Sequence, residues 1–94
     1  MTKYEMLYIL SNKMEDEAKE AVIAKFENIV TNAGGVVEKT DKWGTRKLAY
    51  PINYQSEGFY VLMTFECATS VIAEITRVAG ITEGMLRQMV TKRA

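Results

Sequence analysis

The chain lacks the residues on which most enzymes and metal sites are built. Its 94 residues contain no histidine and one cysteine, so neither a histidine base nor a cysteine and histidine metal site is available. No nucleophile elbow and no glycine-rich phosphate loop before a helix is present, and Gly34-Gly35 follows a predicted helix. The acidic run Glu15-Asp16-Glu17 is typical of a helix amino terminus, which favours negative charge. We therefore predict no enzyme, no cofactor, no metal and no small-molecule substrate.

Long apolar runs and excess charge are missing as well. No segment approaches the roughly 20 apolar residues that span a bilayer, and the amino terminus lacks the layout of a signal peptide. The single cysteine, Cys67, lies in an apolar segment, which favours a buried, inert thiol and a reducing compartment. We expect one soluble, cytoplasmic domain over residues 1–94. Because twelve basic and twelve acidic side chains cancel, any contact with nucleic acid must come from local clustering.

The apolar pattern predicts four strands and two helices. Alternation at a period of two marks the strands, and the spacing of Val22, Phe26 and Val30 marks the first helix. We predict that Gly34-Gly35 ends that helix, that Thr69 caps the second helix, and that Gly80 ends it. The predicted order by residue number is strand 3–10, helix 15–33, strand 36–52, turn 53–58, strand 59–67, helix 69–80 and strand 85–91.

The alternation also predicts which face of each strand is core. The even residues of the first strand and the odd residues of the third are apolar throughout, so both sets face inward. In the last strand we place Leu86 and Val90 inward, because burying Arg87 without a partner would be costly.

This order of elements predicts an α+β, ferredoxin-like βαββαβ fold, with two helices on one face of a four-stranded antiparallel sheet. The second and fourth strands are expected at the edges. The other face of the sheet stays open, and the residues predicted there are Leu7, Ile9, Tyr60 and Leu62. Because these side chains are more apolar than contact with water alone would favour, they indicate a partner.

Two other functions fit the same topology. In an RNA recognition motif, Leu7-Tyr8-Ile9 and Gly58-Phe59-Tyr60-Val61 would supply the base-stacking aromatics. That module needs Tyr8 and Phe59 on the open face, whereas the alternation places Phe59 inward. A regulatory or oligomerisation module would bind a small molecule or self-assemble through its sheet, but no convergent polar pocket residues favour it.

Basic residues occur on three of the predicted strands. Lys3 lies on the first, Arg46 and Lys47 on the second, and Arg87, Lys92 and Arg93 at the last. Gly44 allows the second strand to bulge, and Pro51 is typical of an edge strand or strand end, since proline donates no ladder hydrogen bond. Charged residues on an edge also prevent aggregation, so Arg46 and Lys47 can protect the edge and still bind one complementary partner.

Trp43-Gly44, followed by Arg46-Lys47-Leu48-Ala49-Tyr50-Pro51-Ile52, resembles the signature of the family of the sixth protein of the bacterial small ribosomal subunit. The similarity extends to Tyr4-Glu5, to the strand from Tyr60 to Glu66, and to Arg87 with Met89-Val90. The resemblance implies a structural, ribosome-associated protein that binds the central domain of 16S rRNA.

The resemblance further implies a heterodimer with the eighteenth small-subunit protein, docked at the second-strand edge. Together with the open face, the residues expected at that partner are Trp43, Arg46, Lys47, Leu7, Ile9, Tyr60 and Leu62. The RNA contacts implied are Lys3, Arg87, Lys92 and Arg93.

Overall fold

A computed structural model describes residues 2–52 and 55–93 of the chain. The elements are β1 (Thr2–Ser11), α1 (Asp16–Asn32), β2 (Val36–Ile52), β3 (Gln55–Cys67), α2 (Thr69–Ile81) and β4 (Met85–Lys92). The four strands form one antiparallel sheet in the order β2-β3-β1-β4. The predicted ferredoxin-like fold is confirmed, and so are β2 and β4 as the edge strands.

The core lies between the helices and one face of the sheet. Apolar residues at helical spacing on α1 and α2 pack against the even residues of β1 and the odd residues of β3, as the alternation predicts. Phe26, Phe65 and Met6 are fully buried there. Cys67 is buried beside them, and burial raises the pKa of its thiol, so the thiol stays protonated.

The first helix ends as its sequence predicts, and the second does not. Gly34 follows α1 with φ of 84°, the left-handed conformation that glycine adopts easily. Ala68 is the N-cap of α2, whereas Thr69 is its first residue and accepts a hydrogen bond from the Tyr4 hydroxyl at 3.2 Å. Gly80 lies inside α2, which continues to Ile81. The predictions of Thr69 as cap and Gly80 as helix end are therefore wrong.

The start of β3 and the buried face of β4 also differ from prediction. β3 begins at Gln55, so residues 55–58 extend the ladder instead of forming the predicted turn. The other two residues of that turn, 53 and 54, and the side chains of Tyr50 and Ile52 lie outside those described. In β4 a register shift opposite Ile9 and Leu10 brings Met85 opposite Leu10. Met85 and Val90 therefore pack against the core, and the prediction that Leu86 does so is wrong.

Within the described ranges, no helix is long and apolar enough to cross a membrane.

Candidate protein and RNA interface

The open face of the sheet divides into a charged half and an apolar half. In the charged half, Lys3 Nζ lies 3.9 Å from Glu38 Oε1, and Arg93 Nε lies 3.3 Å from Glu5 Oε1. Both ion pairs are partly exposed. In the other half the apolar side chains follow one another across all four strands: Leu48 on β2, Tyr60 and Leu62 on β3, Leu7 and Ile9 on β1, and Met89 on β4. Of the predicted partner residues, Leu7, Ile9, Tyr60 and Leu62 are thus brought together, whereas Lys47 pairs with Glu57 and so faces the helix side of the sheet.

Ile9 belongs to this open face and is nevertheless buried. It is 6% exposed, as is Leu48, although neither belongs to the core under the helices. The cause is Gly58 on β3: a Cβ atom built there would lie 2.4 Å from Ile9 Cγ2 and 3.5 Å from Leu48 Cδ2. The Ile9 side chain therefore occupies the space that a residue larger than glycine would fill, and little of it is available to a partner.

A shallow depression of about 250 Å³ adjoins this cluster. Its lining consists of Leu7, Ile9, Tyr60, Arg87 and Met89. Met89 was not among the predicted partner residues, although it is 49% exposed. Its alternation with Arg87 on β4 was the available signal, because Met89 pairs with Leu7 and so faces the same side of the sheet.

Trp43 extends the apolar half to the β2 edge. A register shift between Lys42 and Gly44 leaves Trp43 without a partner on β3, and Gly44 supplies the left-handed conformation of this bulge with φ of 85°. The indole, 42% exposed, stacks beside the Tyr60 ring with centroids 6.3 Å apart and planes inclined by 8°. The Arg46 guanidinium lies over the indole, 5.2 Å from its centroid.

The predicted RNA-binding residues are not all on one surface. Arg87 and Arg93 alternate onto the open face of β4, but Lys92 pairs with Tyr4 and so points toward the helix side. Arg93 lies beside Lys3, since its backbone N–H donates to the Lys3 carbonyl at 2.9 Å. Arg87 lies opposite Ile9, about six residues and roughly 20 Å further along the sheet. The roles of these four residues stay predictions.

The formal charges segregate between the two layers although they cancel overall. If Arg93 is counted with the strands, they carry eight basic and five acidic residues. The helices and their adjoining loops carry four basic and seven acidic residues. Both edge strands are basic: β2 carries four basic residues against two acidic, and β4 carries two basic residues and none of the opposite sign. The strands with Arg93 thus carry a net formal charge of +3 and the helices with their loops −3, although the basic residues of the strands do not share one face.

The aromatic residues of a base-stacking module lie on the wrong side of the sheet. Tyr8 is fully buried under α1, where its ring centroid is 5.2 Å from that of Phe26. Phe59 packs against the core, and its ring is covered by the ammonium group of Lys19, 4.7 Å from the centroid. Lys19 is itself buried, a position that sequence alone did not indicate. Neither ring can stack on a base, so the geometry does not favour an RNA recognition motif.

A family model described as Ribosomal protein S6 matches residues 3–92. The small ribosomal subunit protein bS6 of Clostridium novyi is 47% identical over 90 residues, covering 96% of this chain and 95% of that protein. The protein of the same name from Caldanaerobacter subterraneus is 42% identical over 92 residues, covering 98% and 97%.

The fold is also found in a solved structure. The crystal structure of 30S ribosomal protein S6 from Thermotoga maritima superposes with a TM-score of 0.92 at 25% identity, covering 98% of this chain and 87% of that chain.

Proposed function

Because the chain belongs to the ribosomal protein S6 family, and is thus a structural, non-enzymatic component of the small ribosomal subunit, we propose that it binds the central domain of 16S rRNA as a heterodimer with the eighteenth small-subunit protein. The observation that carries this proposal is that basic residues expected to contact RNA form ion pairs within the chain. Lys3 and Arg93, two of the four proposed RNA contacts, are already paired with carboxylates of the same chain. An arginine or lysine paired in this way adds little net attraction for phosphate, so the chain alone binds RNA weakly.

The proposed RNA surface is the β4 edge of the sheet with the start of β1. Lys3, Arg87 and Arg93 would contact RNA from the open face and Lys92 from the helix side, and Arg87 lies where this surface borders the depression. When RNA approaches, its phosphates compete with Glu5 and Glu38 for the cations of the charged half. Both ion pairs are partly exposed, and exposed pairs contribute about 0–1 kcal/mol, so phosphate can replace the carboxylates at small cost.

The proposed protein surface is the apolar half of the open face with the β2 edge. Tyr60, Leu62 and Leu7 form its centre, and Trp43 and Arg46 form its border at β2. Lys47, one of the predicted partner residues, lies opposite Glu57 and therefore on the other side of the sheet. Burying the apolar half against a second protein would contribute roughly 25 cal/mol per Å² of apolar surface, which compensates for the weak charge attraction of this chain.

A binding titration tests the proposal. We expect the isolated chain to bind a central-domain RNA fragment weakly, and the pair with the eighteenth protein to bind it with much higher affinity. The measurement is the dissociation constant for the chain, the partner and the pair at several salt concentrations. Equal RNA affinity of the isolated chain and the pair would contradict the proposed cooperative binding.

Two matched arginine variants locate the RNA surface. Arg87→Ala removes an exposed cation of β4 and is expected to weaken RNA binding by the pair and to lower its salt dependence by about one phosphate contact. Arg77→Ala is the control, because Arg77 is also exposed but lies on α2, outside the proposed surface. Equal effects of the two substitutions would refute the proposed surface.

A further inference from the structure

Arg46 and Lys47 are neighbours in sequence but lie on opposite faces of the sheet. Arg46 pairs with Gly58, and Lys47 pairs with Glu57. On β3 the even residues face the open side and the odd residues face the helices, so the register assigns Arg46 to the open face and Lys47 to the helix side. These two neighbouring cations of the edge therefore cannot meet the same group of a partner.

Of these two cations, Arg46 is the one held in position by neighbouring side chains. The bulge at Trp43 brings the indole beneath the guanidinium, and the Tyr60 ring, stacked with its plane within 8° of parallel to the indole, supports it from β3. An arginine held over an aromatic face loses less side-chain freedom on binding, and its planar fork stays directed outward. We refer to Trp43, Tyr60 and Arg46 as the β2 platform.

The β2 platform is continuous with the depression on the open face, because Tyr60 belongs to both. Together the platform and the depression have the composition of a protein interface, because tryptophan, tyrosine, methionine and arginine are enriched where protein surfaces meet. Tryptophan, tyrosine and arginine are also the residues that contribute most to binding energy. A phosphate site would require several cations along a backbone track. Here Arg46 lies beside aromatic and apolar side chains instead.

We propose that Arg46, positioned by Trp43 and Tyr60, binds a carboxylate of the partner protein while an apolar side chain of the same partner fills the depression, and that Lys47 contributes only to the general charge of the edge. This inference rests on the proposed heterodimer and names its charged contact. A carboxylate accepts two hydrogen bonds from the guanidinium fork, a geometry that a lysine ammonium cannot reproduce.

Single substitutions separate the two cations. We expect Arg46→Glu to weaken pairing with the eighteenth protein by tenfold or more, Arg46→Lys to weaken it by an intermediate factor because the charge remains but the fork is lost, and Lys47→Glu to change it less than threefold. Arg77→Glu is the control for charge reversal on the helix layer. Thermal unfolding of each variant establishes that the fold is retained.

A second readout reports the positioning directly. Trp43 is the only tryptophan, so the emission of the chain comes from the indole beneath the guanidinium. We expect Arg46→Ala to change this emission in the free chain, pairing to change it in the wild type, and Lys47→Ala to leave the free-chain emission as it is.

Four outcomes would overturn the inference. Equal loss of pairing in Arg46→Glu and Lys47→Glu would mean that the edge acts through its total charge. Intact pairing of Arg46→Glu with reduced RNA affinity of the pair would assign Arg46 to a phosphate, and intact pairing with unchanged RNA affinity would leave it without a contact. Failure of the wild-type chain to pair at all would refute the proposed function itself, and this inference with it.

Discussion

Replacing Gly58 with alanine tests how the open face is packed at its apolar end. A Cβ atom at this position would lie 2.4 Å from Ile9 Cγ2, which is closer than two non-bonded carbon atoms can approach. The methyl group that it meets is attached at the branch of the isoleucine side chain, so it cannot swing away as the end of a long side chain could. Either the Ile9 rotamer or the spacing of β1 and β3 must change.

The expected cost follows from two opposing terms. Inserting a methyl group into a filled site costs about 1–3 kcal/mol, whereas replacing glycine with alanine restricts the unfolded chain and contributes about 0.4–1 kcal/mol of stability. We therefore expect Gly58→Ala to lower the free energy of unfolding by about 1–2 kcal/mol. Urea unfolding followed by circular dichroism measures it, with an unchanged m-value showing that the same surface unfolds.

Gly80→Ala is the matched control. A Cβ atom at Gly80 meets nothing within 4 Å, and the residue lies inside α2. Alanine is favoured over glycine by about 0.5–1 kcal/mol within a helix, so this variant should be more stable than the wild type. Had Gly80 ended the helix in a left-handed conformation, as the sequence suggests, the same substitution would be destabilising.

A double mutant identifies the contact. Ile9→Ala removes the methyl group that the new Cβ would meet, so the loss for Gly58→Ala should be smaller in the Ile9→Ala background, by about 1 kcal/mol or more. Full stability of Gly58→Ala, or strict additivity of the two substitutions, would refute the packing argument.

Two further substitutions test the assignment of the sheet faces. Phe65 is fully buried and Tyr60 is partly exposed on the open face, so Phe65→Ala should cost about 3–5 kcal/mol of stability in urea unfolding and Tyr60→Ala distinctly less; similar losses would contradict the assignment. Tyr8→Phe should be neutral or stabilising by up to about 1 kcal/mol, because the buried Tyr8 hydroxyl forms no hydrogen bond among the described residues, and a clear loss of stability would reveal a partner for it.

The arrangement of the sheet follows from the sequence because its period is regular. Alternation over Tyr4, Met6 and Tyr8 on β1, and over Val61 to Cys67 on β3, determines the buried face of each strand without reference to the rest of the chain. The edge positions of β2 and β4 then follow from the topology. The same alternation predicts Tyr60 on the open face, whereas Trp43 is indicated by the family resemblance and Arg46 by its position on the predicted edge strand.

The parts that the sequence did not reveal depend on contacts between distant segments. Thr69 reads as a cap, but its hydroxyl bonds to Tyr4, 65 positions earlier. The burial of Ile9 depends on the absence of a side chain at Gly58, and the position of Trp43 depends on a register shift against β3. The exchange of Leu86 for Met85 likewise depends on a register shift. A local sequence pattern does not predict such contacts between distant segments.

The unequal charge of the two layers makes this neutral molecule an electric dipole with its positive end at the sheet. A dipole in the field of RNA experiences a torque but, unlike an ion, little net pull from a distance. The chain should therefore encounter RNA about as often as a neutral protein would. At close range, however, it should be oriented with its sheet toward the RNA. At physiological ionic strength this orientation acts only within about 8 Å, the distance over which salt screens charge. RNA could thus orient the chain but would do little to recruit it, so in the proposed function recruitment would depend on the protein partner.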